Sequence, residues 1–219
     1  MKYPWFVLYA SAAKHPPDVT IGNGKIGWGW GFTYLWSINS KIPSYRAPFW
    51  LGFDFNQHYF GTVTVYPYRV HYENWQMAMV GRFTTTNTSS RIKPFIDLRL
   101  GARYLVSLTT YNREYSGIVV LRTEDFFAAL FNLPANSSDS YRIEKEYGKM
   151  TFEGGFSTGI LFQAGKTGFG GITLKASLLF GEQTRYADAN QIKTVDDVYN
   201  YPLKNGSGFM YSFQLGITL

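Results

Sequence analysis

The stretch Phe209-Met210-Tyr211-Ser212-Phe213-Gln214-Leu215-Gly216-Ile217-Thr218-Leu219 alternates apolar with small or polar side chains up to the last residue. Successive side chains of an extended chain point to opposite faces. The alternation therefore predicts a β-strand whose apolar face carries Phe209, Tyr211, Phe213, Leu215, Ile217 and Leu219. A terminal strand needs a neighbour on each side to satisfy its backbone groups. Closing the sheet supplies both neighbours, so this stretch favours a β-barrel.

The composition favours a membrane rather than an ordinary soluble core. Aromatic residues make up 19% of the 219 residues and charged residues 16%, with 22 glycines. Mean hydropathy is nevertheless −0.17, because the apolar content is carried largely by Trp, Tyr and Phe, the side chains that suit a membrane interface. No run approaches the roughly 20 apolar residues of a transmembrane helix. A membrane-spanning version of this chain would therefore cross with strands.

Charge, cysteine and histidine content narrow the classes of partner and cofactor. The net charge is +6, but the Lys and Arg residues are dispersed. This dispersion argues against nucleic acid and fits anionic lipid headgroups. The chain has no Cys, and its three histidines, His15, His58 and His71, lack the spacing of a metal motif. We therefore predict no metal and no cofactor.

Seven further segments show the alternation of strands. They cover residues 26–36, 49–56, 60–66, 75–83, 96–108, 150–163 and 172–180. We place a tight turn at Gln57-His58, and Pro67 ends the third segment because proline cannot donate to a β-ladder. Together with residues 209–219 these segments predict eight antiparallel strands in one all-β, closed barrel. Strands of about ten residues match the ~9–11 that cross a bilayer at a tilt.

The predicted connections alternate between long and short along the chain. Those after the first, third, fifth and seventh predicted strands are long or irregular, and the others are short. Long loops on one rim and short turns on the other are the layout of an outer-membrane barrel. The two longest loops, residues 110–148 and 183–206, are predicted to bind a partner, a surface ligand or another subunit of a larger envelope complex. The first loop is also predicted to contain a short helix at 126–131.

The N-terminal residues 1–24 are predicted to form a segment of their own, with the barrel in residues 25–219. Met1-Lys2 precede an apolar run that ends in Ala10-Ser11-Ala12, as in a very short signal peptide. The segment is therefore interpreted as either a signal remnant or a periplasmic arm.

Over residues 25–219 the chain resembles the small eight-stranded outer-membrane β-barrels of Gram-negative bacteria, the porin-like, OmpA-like or OmpX-like group. The resemblance implies that the terminal strand, through Phe213, Leu215, Ile217 and Leu219, is an assembly signal read by the barrel insertion machinery. The chain departs from the family by ending in Leu219 rather than Phe and by its short third strand. The likeness is architectural and carries over no catalytic residue.

Two sets of residues follow from the predicted faces. The inward faces carry a charge network of Asp54, Arg82, Asp97, Arg99, Arg103, Glu153 and Lys175. Because eight strands leave an interior just wide enough for side chains, this network is interpreted as a salt-bridged plug rather than an open pore. The lipid-facing or interfacial set is Trp28, Trp30, Trp36, Tyr104, Phe209, Tyr211 and Phe213.

Two alternatives to a non-enzymatic membrane barrel stay open. A lipid A-modifying enzyme, a deacylase or acyltransferase, needs a His and a Ser presented together on the lipid-facing rim, but no Ser lies close to His58, and Ser157 and Ser177 lie on inward faces. A soluble lipocalin-like carrier also has eight strands and a glycine–tryptophan element such as Gly27-Trp28. Its bulky face would point inward around a hydrophobic ligand, whereas a membrane barrel would turn that face towards lipid.

Overall fold

The computed structural model of the chain describes residues 4–14, 26–38, 47–65, 68–85, 90–111, 143–164, 170–189, 193–195, 198–200 and 203–219. Eight strands close into one antiparallel barrel: β1 (Trp5–Lys14), β2 (Gly27–Ser37), β3 (Phe49–Val65), β4 (Tyr68–Thr84), β5 (Ile92–Tyr111), β6 (Ile143–Gln163), β7 (Gly171–Gly181) and β12 (Met210–Thr218). Four short strands form two hairpins before β12: β8 (Thr184–Ala187), β9 (Lys193–Val195), β10 (Val198–Asn200) and β11 (Leu203–Gly206). The predicted fold class and the number of barrel strands are confirmed, although β1 was not predicted and β3 was predicted as two strands. Within the described part of the chain, no helix has the length and apolar character needed to cross a membrane.

The barrel closes between its first and last strands. Ser11 of β1 pairs with Gln214 of β12, and Val7 pairs with Thr218. The β12 strand also pairs with β7 along its whole length, from Met210 opposite Leu179 to Thr218 opposite Gly171. The terminal strand therefore has the two neighbours that its alternation predicts.

The prediction of a separate N-terminal segment is wrong for Trp5–Lys14, which form β1 and pair with both β2 and β12. The misreading has a physical cause. Trp5, Val7 and Tyr9 are buried on the inner face, while Leu8 is exposed on the outer face. Both faces of the start of β1 are therefore apolar, and the sequence shows an unbroken apolar run instead of an alternation.

The turn predicted at Gln57-His58 is also wrong, because β3 runs through these residues without a break. Gln57 pairs with Trp75 of β4 and His58 with Asn74. The polar run resembles a turn because His58 lies inside the barrel, while Gln57 bonds the Glu73 carboxylate at 3.2 Å. The irregularity in β3 is a bulge at Gly61, whose φ of 97° is a left-handed backbone conformation that favours glycine.

The strands differ in length around the barrel. Strands β1, β2, β7 and β12 have 9 to 11 residues, whereas β3, β4, β5 and β6 have 17 to 21. We call the end where β1–β2, β3–β4, β5–β6 and β7–β12 are connected the loop rim, and the opposite end the turn rim. The long strands form a wall on one side of the barrel that projects at the loop rim.

The prediction that all long connections lie on one rim is wrong for one of them. The β2–β3 connection, residues 38–48, lies at the turn rim, opposite the rim that holds the β5–β6 and β7–β12 connections. The predicted loop 110–148 is shorter than expected, since β5 extends to Tyr111 and β6 begins at Ile143; the helix predicted at 126–131 lies outside the described residues. The predicted loop 183–206 contains strands β8 to β11.

Candidate functional site

The two faces of the barrel wall have opposite chemistry. Large apolar side chains on the outer face are exposed, among them Trp28 (69% exposed), Phe152 (74%) and Phe213 (67%). The inner face of the same strands carries buried polar and charged side chains. A soluble lipocalin-like carrier would have the reverse arrangement, with its apolar side chains around a central cavity.

The predicted lipid-facing set falls on the outer face or its edges. Trp28, Trp30, Tyr211 and Phe213 are exposed, while Trp36, Tyr104 and Phe209 are partly buried among neighbouring rings. Trp36 lies 5.4 Å from Phe53, measured between ring centroids, and Phe209 lies 4.8 Å from Tyr211. The terminal-strand residues Leu215, Ile217 and Leu219 are exposed on the same face as Phe213.

All seven residues of the predicted charge network are buried inside the barrel, and the structure separates them into groups. Asp54 is the hub of the first group. Its carboxylate lies 2.8 Å from Nη2 of Arg99 and 3.1 Å from Nζ of Lys175, and it also accepts hydrogen bonds from Thr33 and Asn56. Lys175 contributes a cation–π contact with the Tyr9 ring at 4.5 Å.

Arg82 and Asp97 form a second ion-paired group. Nε and Nη2 of Arg82 donate to the two carboxylate oxygens of Asp97 at 2.7 and 2.9 Å. The guanidinium also stacks over the Phe95 ring at 3.8 Å. This bidentate geometry is the strong form of an arginine–carboxylate pair.

Glu153 and Arg103 lie closer to the loop rim and form no direct ion pair with each other among the described residues. Glu153 accepts a hydrogen bond from Nε2 of Gln76 at 3.1 Å, and Nη2 of Arg103 reaches the carbonyl of Glu182 at 3.5 Å. The seven residues thus form two ion-paired groups and a looser pair rather than one continuous network.

Apolar clusters that the sequence analysis did not predict lie inside the barrel at both ends. At the turn rim, Trp5 and Trp50 stack with their ring centroids 4.4 Å apart, packed with Leu35, Val80 and Leu161. Nε1 of Trp50 donates to the carbonyl of Ala47 at 3.0 Å, which satisfies its one polar group. Continuous apolarity of β1 on both faces is the signal that could have revealed this layer.

At the loop rim the hairpin of β8 and β11 folds into the barrel mouth. Its Tyr186, Ala187 and Ala189 are buried in one cluster with inward-facing side chains of the wall, including Phe60, Val70, Leu105 and Met210. The hydroxyl of Tyr72 donates to the Ala187 carbonyl at 2.8 Å and accepts from the Ala189 amide at 3.2 Å. The Ala187 amide donates to Oγ of Ser107 at 2.9 Å. We call this hairpin with its contacts the mouth hairpin.

The His and Ser residues considered for a lipid A-modifying enzyme, His58, Ser157 and Ser177, lie inside the barrel rather than on its lipid-facing rim. His58 is fully buried inside it, and neither ring nitrogen has a hydrogen-bond partner among the described residues. Ser157 and Ser177 bond each other at 2.8 Å across β6 and β7. Within the described residues, no group of three or more His, Cys, Asp or Glu side chains is placed to hold a metal ion.

Comparison with known proteins gives matches in structure alone. No protein-family model and no curated sequence matches the chain. Neisserial surface protein A is similar over 99% of this chain and 96% of its own, with a TM-score of 0.56 and 10% identity. Ail, the attachment invasion locus protein of Yersinia pestis, is similar over 99% and 97%, with a TM-score of 0.51 and 10% identity. The chain therefore has the fold of the small eight-stranded outer-membrane β-barrels.

Proposed function

We propose that this chain is a non-conducting, non-enzymatic integral protein of the bacterial outer membrane, and that its loop rim binds a partner or ligand. The observation that carries the proposal is the inversion of the barrel wall, which exposes large apolar side chains outside and buries charged ones inside. Such a surface is stable in hydrocarbon and costly in water. The outward residues Trp28, Trp30, Phe213 and their neighbours would contact lipid.

We infer the absence of conduction from the side chains that occupy the interior at successive levels. The Trp5–Trp50 stack, the Asp54 and Arg82 groups and the mouth hairpin succeed one another from the turn rim to the loop rim. A barrel of eight strands has an interior about as wide as the side chains that fill it. The charged residues would therefore stabilise the barrel as a plug.

The terminal strand suits a role in assembly. Phe213, Leu215 and Ile217 form a regular apolar face on β12, the strand that closes the barrel against β1, and Leu219, directly after β12, is exposed too. We infer that this face is presented to the barrel insertion machinery before closure, as the family resemblance implies.

The loop rim is the binding surface that the architecture favours. The long strands β3 to β6 raise it on one side, and the mouth hairpin packs against the inner face of that wall. Rigid scaffolds that hold loops in place are where such proteins carry recognition. The similar protein Ail is described in complex with the heparin analogue sucrose octasulfate, so a polyanion is a suitable first probe.

Two experiments test this proposal. The purified protein should need detergent to stay monodisperse and should give no steady conductance in planar bilayers; a soluble monodisperse protein would refute membrane residence. A photocrosslinker placed at the exposed Arg185 of β8 should capture a ligand or protein from gently solubilised membranes. The same crosslinker at the exposed Arg91, on the turn rim, should capture neither. Equal capture from both rims, or none from Arg185, would refute binding at the loop rim.

A further inference from the structure

The centre of the barrel holds more positive than negative charge. Besides Arg82 and Asp97, whose charges cancel, the ion-paired groups and the looser pair described above contain two carboxylates, Asp54 and Glu153, and three cations, Arg99, Arg103 and Lys175. Glu153 lies within electrostatic range of Arg99, Arg103 and Asp54. The Asp54 group and the Glu153–Arg103 pair therefore influence each other, although no ion pair joins them among the described residues. With every group in its ordinary charge state, this central cluster has one positive charge in excess.

The excess charge coincides with hydrogen-bond donors that lack acceptors. Among the described residues, Nε and Nη1 of Arg99 and Nε and Nη1 of Arg103 have no hydrogen-bond partner. Both side chains are more than nine-tenths buried. The guanidinium cannot relieve its burial by losing a proton, and it offers donors alone. A buried, incompletely paired cation is among the most costly groups in a protein interior.

The neighbouring polar atoms can supply further donors. Thr151 of β6 pairs directly with Arg103 of β5, and its buried hydroxyl has no partner among the described residues. The ring of His58, also without a hydrogen-bond partner there, lies within electrostatic range of Arg99 and Asp54. Water could satisfy such atoms singly, but water leaves the net charge in place. An anion accepts the hydrogen bonds and neutralises the charge together.

We propose that the central cluster binds one small monovalent anion, of the size and charge of chloride, held by the Arg103 guanidinium beside the Thr151 hydroxyl. The narrow interior of an eight-stranded barrel excludes larger polyatomic anions. The single excess charge sets the stoichiometry at one. The bound anion would stabilise the barrel interior. This proposal does not depend on what the loop rim binds.

Bromide locates the site directly, since it replaces chloride and scatters anomalously. Crystals of the full chain grown with bromide as the halide are expected to show one anomalous peak inside the barrel, in hydrogen-bond contact with Arg103. Ordered water alone at these nitrogens, or bromide confined to the outer surface, would overturn the proposal.

A thermal titration gives the solution test. At constant ionic strength, with chloride or bromide exchanged for the larger anion isethionate, halide should raise the melting temperature of the detergent-solubilised barrel. A halide concentration 100-fold above the dissociation constant should raise it by roughly 5–10 °C. The same melting temperature in halide and in isethionate would contradict a halide site.

Substitutions separate the interior from the surface. Arg103→Met should abolish the halide dependence, whereas Lys149→Met, which removes an exposed cation of β6, should preserve it. If Arg103→Met fails to fold, Arg103→Lys is expected to keep the site but weaken its halide affinity at least tenfold, and the wild-type bromide peak remains decisive. Loss of the dependence in Lys149→Met would place the effect at the surface and refute the proposal.

Discussion

The inner and outer faces of β5 alternate residue by residue, and their chemistry is the reverse of the core and surface of a soluble protein. Asp97 and Arg99 point inward and are almost completely buried, while Leu98 between them is 58% exposed on the outer face. A soluble protein would bury the leucine and expose the charges. This inversion is the arrangement expected of a wall between a polar interior and lipid. A substitution that gives either face the chemistry of the other is therefore expected to destabilise the barrel.

The largest effect is expected from breaking a buried ion pair on the inner face. Asp97→Ala leaves the Arg82 guanidinium buried without the carboxylate that accepts its two short hydrogen bonds. Unfolding in lipid vesicles, measured with urea, should show a loss of about 3–5 kcal/mol. The double variant Arg82→Met/Asp97→Leu removes both charges and should recover most of that loss. A double variant as unstable as the single one would show that the pair itself supplies the stability.

The outer face is expected to reject charge. Leu98→Arg places a guanidinium in the hydrocarbon region and should cost about 2–4 kcal/mol in the same vesicle assay. Thr85→Arg is the matched control, because Thr85 is exposed just after β4 at the turn rim and should tolerate the change. If Leu98→Arg were as stable as the control, the outer face at that position would be in contact with water.

The mouth hairpin is expected to depend on single polar contacts. Tyr72→Phe removes the hydroxyl that bonds both Ala187 and Ala189, at a cost of about 1–3 kcal/mol confined to the hairpin. Hydrogen exchange should speed up at residues 184–189 and stay unchanged in β5. The control Tyr211→Phe removes a hydroxyl from an exposed ring of β12 and should change neither region. Uniform acceleration across the barrel would mean that the hairpin is not a separate unit.

The smallest effect is expected from an ion pair exposed to solvent. Lys149 and Glu182 lie 3.8 Å apart with half-exposed side chains. Glu182→Gln should change stability by less than about 1 kcal/mol, in contrast to the buried Asp97 pair. A loss of stability comparable to that of Asp97→Ala would indicate that this ion pair is shielded from water as completely as the interior pairs.

The sequence predicted the barrel and the chemistry of its faces because alternation is a local property of each strand. It predicted eight strands, but two errors compensated: β1 was missed, and β3 was divided at Gln57-His58. Both errors arise where a face departs from simple alternation, at the apolar start of β1 and at the polar centre of β3. The division of β3 also explains why the 38–48 connection was predicted on the wrong rim. It adds a chain reversal that does not exist between this connection and the later ones.

The internal partners could not be predicted, since they depend on the closure of the barrel. The residue type and inward position of Asp54 were predictable, but its contacts with Arg99 and Lys175 join β3 to β5 and β7. The packing of Trp5 on Trp50 and of the mouth hairpin on Tyr72 likewise joins residues distant in sequence. No periodicity within one strand contains that information.

The central claim, that the apolar face of the wall contacts lipid, can be tested directly because the chain contains no cysteine. Single cysteines introduced from Met210 to Thr218 can each be spin-labelled in reconstituted vesicles and probed with oxygen, which partitions into lipid, and with a water-soluble nickel chelate. The account predicts a period of two, with high oxygen and low nickel accessibility at Tyr211, Phe213, Leu215 and Ile217. Nickel accessibility at these four positions, or no alternation along β12, would contradict it.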